Sequence, residues 1–238
     1  MREACVLVED DTVLVLNKPA GLSVVGERGG TDLMKEARAA GEWLMPAHRI
    51  DKVTSGALLL AKSLQAHAEL TRQFRERTVE KAYLAIVRSA DVPERGTVDL
   101  PLRVGRKSRI RVAGERAAIR FDADALRWDL TDGDGTGSPA TTTFIRLWAG
   151  GGRSLLLVRP LTGRRHQIRV HLAWIGFPIE GDPLFDRAVP DGYRTFLHSW
   201  RLAFDQQGRR REVEAPPGED FWAPIGPQRL PANVPLVG

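Results

Sequence analysis

One cysteine, Cys5, is the only thiol in this chain of 238 residues. A single thiol forms no internal disulfide, and no cysteine–histidine spacing resembles a structural zinc site. The chain therefore reads as a protein of a reducing, cytoplasmic compartment that holds itself together without staples or metal. Long apolar runs are also missing. No stretch approaches the roughly 20 residues a helix needs to cross a bilayer, and Glu9, Asp10 and Asp11 interrupt the first apolar run before it could serve as a secretion signal. Neither a membrane span nor a leader is expected. There is no internal repeat. A hydrophobic share of 42% and a charged share of 27% exclude a fibrous or disordered chain, and the length suffices for a sizeable core. One compact domain over 1–238 is the economical reading.

What the chain does have is positive charge in clusters. The net charge is only +5, but Arg103, Arg106, Lys107, Arg109, Arg111, Arg116 and Arg120 crowd one segment, and Arg159, Arg164, Arg165 and Arg169 another. Such runs either solvate a surface or follow a phosphate backbone.

Local patterns place these clusters on elements. Thr12 to Leu16 reads as a strand, stopped by the Pro- and Gly-bearing turn Asn17-Lys18-Pro19-Ala20-Gly21. Thr31 to Ala40 reads as a short helix, and the leucine-rich Ser55 to Ala61 as a buried strand following a loop that carries His48, Arg49 and Asp51. Ser63 is positioned to cap a helix from Leu64 to about Arg77. Lys81 to Val87 has strand composition, with Tyr83, Ala85 and Val87 on one face. Thr131 to Ala140 is a surface loop, and Thr141–Trp148 and Ser154–Arg159 pair across Gly150-Gly151-Gly152. Finally, Thr162 is a candidate cap for a helix beginning near Gly163, with Ile168, Leu172 and Ile175 on its apolar face and its end at Gly176. On that helix Arg165 and Arg169, four apart, would share a face.

The segment His48-Arg49-Ile50-Asp51-Lys52-Val53-Thr54-Ser55-Gly56 resembles the HRLDxxTSG signature of RluA-type RNA pseudouridine synthases. Three further matches follow in family order: the Asn17–Gly21 turn, Lys81-Ala82-Tyr83, and Leu161–Leu172 with Gly176 and Gly181-Asp182. Ile50 and Lys52 depart from the usual leucine and arginine, at positions that carry no chemistry. The resemblance covers about residues 6–202 and leaves 203–238 as a C-terminal extension of open role.

It implies an α+β domain on a mixed, mostly antiparallel sheet with flanking helices and a basic active-site cleft. It implies isomerisation of uridine to pseudouridine in structured ribosomal or transfer RNA, with no cofactor, no metal and no small RNA-binding S4 domain ahead of the motifs. Residue by residue, Asp51 is the nucleophile, Arg169 the cation that pairs with it, Tyr83 the ring against the base, and Arg49 the side chain that fills the gap left by a flipped uridine. Lys18, His48, Arg164 and Arg165 are the remaining candidates for contact with RNA. A carboxylate suits covalent participation when a guanidinium keeps it ionised, and a stacked uridine is unreachable until it is everted. The competing readings are an RNA-binding module that has kept the fold and lost the chemistry, and a metal hydrolase built from His48, Asp51, His166 and His171. The spacing of five between the last two histidines argues against the hydrolase.

Overall fold

Why the chain begins as strand is visible in its second element. Val13–Lys18 alternates little and is buried nearly throughout, as a strand covered on both faces must be. The computed structural model describes residues 5–26, 30–131, 136–186, 192–228 and 230. In chain order its strands are β1 (Val6–Glu9), β2 (Val13–Lys18), β3 (Met45–Pro46), β4 (Ser55–Ala61) and β5 (Glu80–Val87). Then come β6 (Arg95–Asp99), β7 (Leu102–Val104), β8 (Ile110–Val112), β9 (Ile119–Asp122) and β10 (Arg127–Leu130), followed by β11 (Thr141–Gly150), β12 (Arg153–Pro160), β13 (Leu197–Gln206) and β14 (Arg209–Glu214). The helices are α1 (Leu33–Ala39), α2 (Leu64–Glu76), α3 (Gln167–Trp174) and a single turn, α4 (Glu219–Trp222). They divide between two units, one of residues Met1–Tyr83 with Leu197–Gly238, the other Leu84–Phe196.

In the first unit β2 pairs antiparallel with β4 from Val13↔Ala61 to Lys18↔Gly56, and β4 lies parallel to β13 at His198↔Ser55 and Ser199↔Gly56. Gly56 is obligatory there: its φ is +105°, and a Cβ would stand 2.2 Å from the Ser199 carbonyl oxygen. Helix α2 starts where expected, its Ser63 hydroxyl accepting the Ala66 N–H at 3.2 Å, and it stops at Arg77 in the left-handed region. Its buried Gln73 hydrogen-bonds the Asp205 backbone twice, donating to the carbonyl at 2.7 Å and accepting from the N–H at 2.8 Å. Strands β13 and β14 are joined by the two-residue turn Gln207-Gly208, both at positive φ, the geometry that matches strand twist. Phe204, Val213 and Ala215 share a core with Val13, Val15, Leu59 and Leu70, so part of the C-terminal extension belongs to the packed interior. Residues 229 and 231–238 of that extension lie outside the described residues.

In the second unit the strand order is β12-β11-β6-β10-β9. The hairpin anticipated across the glycines is there, Gly150↔Arg153 closing it, with Gly151 and Gly152 at positive φ. A separate ribbon, β7–β8, carries Arg103 opposite Arg111. Residues 132–135 of the surface loop read over Thr131–Ala140 lie outside the described residues; beyond them Ser138 pairs with Leu102. Antiparallel pairing dominates both units, with β4–β13 and β6–β10 parallel. This is the α+β architecture the resemblance implied.

Candidate active site

The Asp51 loop is tied down from both sides. Its turn closes with the Thr54 N–H donating to the Asp51 carbonyl at 3.0 Å, and the Lys52 carbonyl accepts the Gly21 N–H at 2.7 Å. Lys18 is almost wholly buried, and its Nζ donates to the carbonyls of Pro19 at 2.7 Å, Leu22 at 2.8 Å and Lys52 at 3.4 Å. It is a clamp joining two loops rather than a surface cation, which is why a lysine ends the strand and precedes the turn. Ile50, beside Asp51, is buried, whereas Arg49 is exposed and placed to reach outward.

Two histidines hold the buried side of this loop. His48 stacks on Phe74, with centroids 4.7 Å apart, and its Nε2 accepts the Leu59 N–H at 3.0 Å. Burial, with the nearby Lys81 charge adding to it, pulls its pKa down to about 3. It thus supports the loop as an uncharged acceptor, and this position does not offer RNA a cation. One strand on, His198 Nε2–H donates to the Ala215 carbonyl at 2.9 Å, and its Nδ1 shares a hydrogen bond with the Ser55 hydroxyl at 2.8 Å. Lys81, which the sequence offers only as the first residue of the Lys81-Ala82-Tyr83 match, is itself lowered to about 8 by burial and by Arg77.

Tyr83 lies within electrostatic reach of Asp51. It is only 8% exposed. Burial pushes its phenol up to about 12; the Ser199 hydroxyl acts against that shift, and the Asp51 charge adds to it. The Ser199 oxygen is itself buried and makes no hydrogen bond of ordinary geometry. At neutral pH Tyr83 is therefore a neutral phenol, a donor and an apolar ring at once.

In the second unit, α3 is set by a buried polar network rather than by an N-cap. The Thr162 hydroxyl donates to Gln167 Oε1 at 2.7 Å, which also accepts the Arg164 N–H at 2.9 Å. Gln167 Nε2 donates to the Thr141 carbonyl and to Thr142 Oγ1. His171 Nε2–H donates to the Leu100 carbonyl at 2.9 Å, leaving Nδ1 to accept the Thr142 hydroxyl at 2.9 Å. Burial lowers this histidine to about 4. Because Thr162 spends its hydroxyl on Gln167 and His166 takes a left-handed conformation, the helix begins at Gln167, not near Gly163. Arg165 precedes it, so the expectation that Arg165 and Arg169 share a helical face is wrong.

Arg169 and Arg165 accordingly have different surroundings. Arg169 is 3% exposed, and its Nε and Nη2 donate to the two carboxylate oxygens of Asp182 at 2.7 and 2.8 Å, with the Phe185 ring 5.9 Å from the guanidinium carbon. Arg165 and Arg164 are exposed. Arg164 Nε donates to the Pro139 carbonyl at 3.1 Å. Arg165 lines a cavity of about 520 Å³ with Arg106, Lys107, Arg109 and Arg111 of the β7–β8 ribbon and Trp174 of α3. The two basic runs noted in the sequence thus meet around one concave surface within this unit. Among the described residues no group of three or more His, Cys, Asp or Glu is arranged to hold a metal ion, and no helix is long and apolar enough to cross a membrane.

The fold defines a class by comparison with solved structures. A human protein named RNA pseudouridylate synthase domain containing 1 superposes with a TM-score of 0.71 at 26% identity, over 90% of this chain and 83% of that one. The human domain containing 4 shares the fold at 0.74 and 24% identity, over 92% and 90%. The family model described as RNA pseudouridylate synthase matches residues 12–174, and the chain belongs to that family. It is 33% identical over 223 residues to the ribosomal large subunit pseudouridine synthase C of Vibrio cholerae, covering 89% of this chain and 64% of that protein. An uncharacterized RNA pseudouridine synthase of Zymomonas mobilis is 34% identical, over 83% of this chain and 85% of its own length. The chain thus spans a little under two thirds of the length of the Vibrio relative.

Proposed function

We propose that this protein is an RNA pseudouridine synthase acting in the cytoplasm on large-subunit ribosomal RNA, with its described units serving a single catalytic domain. The observation that carries the reading is the Asp51 carboxylate, on a loop pinned by Lys18, His48 and Thr54, within electrostatic reach of the buried phenol of Tyr83. In the reaction the bond between N1 of uracil and C1′ of ribose breaks and a bond from C5 to C1′ forms. C5 gives up a proton and N1 gains one, so the change is an isomerisation that consumes no oxidant, reductant or cofactor. Asp51 is the nucleophile in this reading. Family position assigns Arg169 as the cation that keeps that carboxylate ionised. Tyr83 stacks against the base, and its neutral phenol can both donate and accept a hydrogen bond there. Arg49, exposed next to Asp51, replaces the everted uridine in the RNA stack. The name of the Vibrio relative favours ribosomal over transfer RNA as the substrate.

The test is a base-resolution map of pseudouridine in total RNA from a strain lacking the gene. One or more sites in large-subunit ribosomal RNA disappear and return with the wild-type chain but not with Asp51→Asn. A map unchanged by the deletion, in ribosomal and transfer RNA alike, refutes the reading and leaves the RNA-binding module without catalysis in its place.

A further inference from the structure

Asp182 holds the side chain on which the proposed chemistry leans. It is fully buried, as is nearly all of Arg169, and the pair is a two-bond fork between a helix and a loop. Both ends are tied by further hydrogen bonds. On the helix side, Gln167 and His171 lock α3 to Thr141, Thr142 and Leu100. On the loop side, the Asp182 carbonyl accepts the N–H groups of Phe185 and Asp186, and Asp182 Oδ1 also accepts the Leu184 N–H at 2.9 Å. Gly181 sits at φ +78° with Arg194 O only 1.8 Å from where a Cβ would be, and the preceding Glu180 is anchored by Arg153 at 2.7 and 3.0 Å. A carboxylate fixed this firmly sets the rotamer and plane of any guanidinium it grips.

A buried ion pair is a poor device for stability alone, since well-packed apolar residues of the same volume often serve as well. A device that aims a guanidinium is another matter. Asp182 engages the Nε–Nη2 edge of Arg169 through both carboxylate oxygens. We infer that Asp182 is a positioning residue for Arg169, holding the guanidinium in the orientation that the reaction uses. This rests on the reading of Arg169 given above. Reorienting Arg169 slows the chemical step while leaving the exposed basic surface that binds RNA intact.

The experiment uses the full chain and an unmodified transcript of large-subunit ribosomal RNA from the source organism, with single-turnover rates, filter-binding affinities and thermal midpoints. Asp182→Asn, nearly isosteric, lowers the single-turnover rate about 100-fold or more and changes RNA affinity less than about 3-fold. Arg169→Lys is slow as well, and the double variant is no slower than Arg169→Lys alone, because the two residues act as one unit. A folded Asp182→Asn with a rate within about 3-fold of wild type overturns the inference while leaving the role of Arg169 standing, as do losses that multiply in the double variant. A wild-type rate for Arg169→Lys is a different failure: it removes the role of Arg169 and the inference with it. Should Asp182→Asn unfold, the wild-type protein still decides. Its Arg169 Nε–H resonance, assigned with Arg169→Lys, is protected from exchange with water if the fork is fixed. Rapid exchange there overturns the inference.

Discussion

His48 and His171 give the loop and the helix their order by staying neutral, and that has a consequence for pH. Their folded pKa values, about 3 and about 4, lie below the usual value of 6.5, so between 6.5 and the folded values the unfolded chain binds more protons than the native one. Stability is then full above pH 6.5 and falls as the pH drops through this window, by about 2 kcal/mol for each histidine at pH 5. Thermal midpoints measured from pH 8 to pH 5 decline below 6.5; a flat profile contradicts the assignment. Tyr83 sets a second expectation. With its phenol at about 12, the rate–pH profile carries no tyrosine ionisation below pH 10, and Tyr83→Phe changes the rate without moving an inflection in that range. At Gly56, alanine would meet the Ser199 carbonyl at positive φ, and Gly56→Ala costs about 3 kcal/mol or more, read as a lower denaturation midpoint.

At the scale of elements, what could be read from sequence and what could not divide along one line. Strand β4 is legible because Ser55–Ala61 is a continuous apolar run, and α2 because Ser63 precedes it with no competing partner for its hydroxyl. The start of α3 is illegible because Thr162 looks like the same signal, yet its hydroxyl goes to Gln167 and its neighbour His166 turns left-handed. Tertiary hydrogen bonds override a local cap, and nothing in the local pattern announces them. The same holds for the site. Asp51, Tyr83, Arg49 and the Gly181-Asp182 pair stand out by motif, but the fork from Arg169 to Asp182, 13 residues on along the chain, and the burial of Lys18 among three carbonyls are products of loops and helix folding together. These elements make a paired prediction. Ser63→Ala, removing an exposed cap, costs about 1 kcal/mol and leaves activity alone. Gln167→Ala, emptying a buried network, costs more than that and also slows the reaction by loosening Arg169. Equal effects of the two on rate would contradict the network's role.

Across the whole molecule the charge is only +5, yet Arg106, Lys107, Arg109, Arg111 and Arg165 converge on one concave surface. The net figure understates what a phosphate backbone would meet there. RNA affinity accordingly falls steeply with salt, and Arg109→Gln combined with Arg165→Gln makes the slope of log affinity against log salt shallower by about 1 for each lost phosphate contact. An unchanged slope would place the RNA elsewhere. In the proposed reaction Asp51 does the chemistry, and the single-turnover rate of purified Asp51→Asn on the unmodified ribosomal transcript, beside its RNA affinity, tests that role. Loss of product by at least about 1,000-fold with affinity held within about 3-fold is the predicted result. Product formed at the wild-type rate by the folded variant would contradict it.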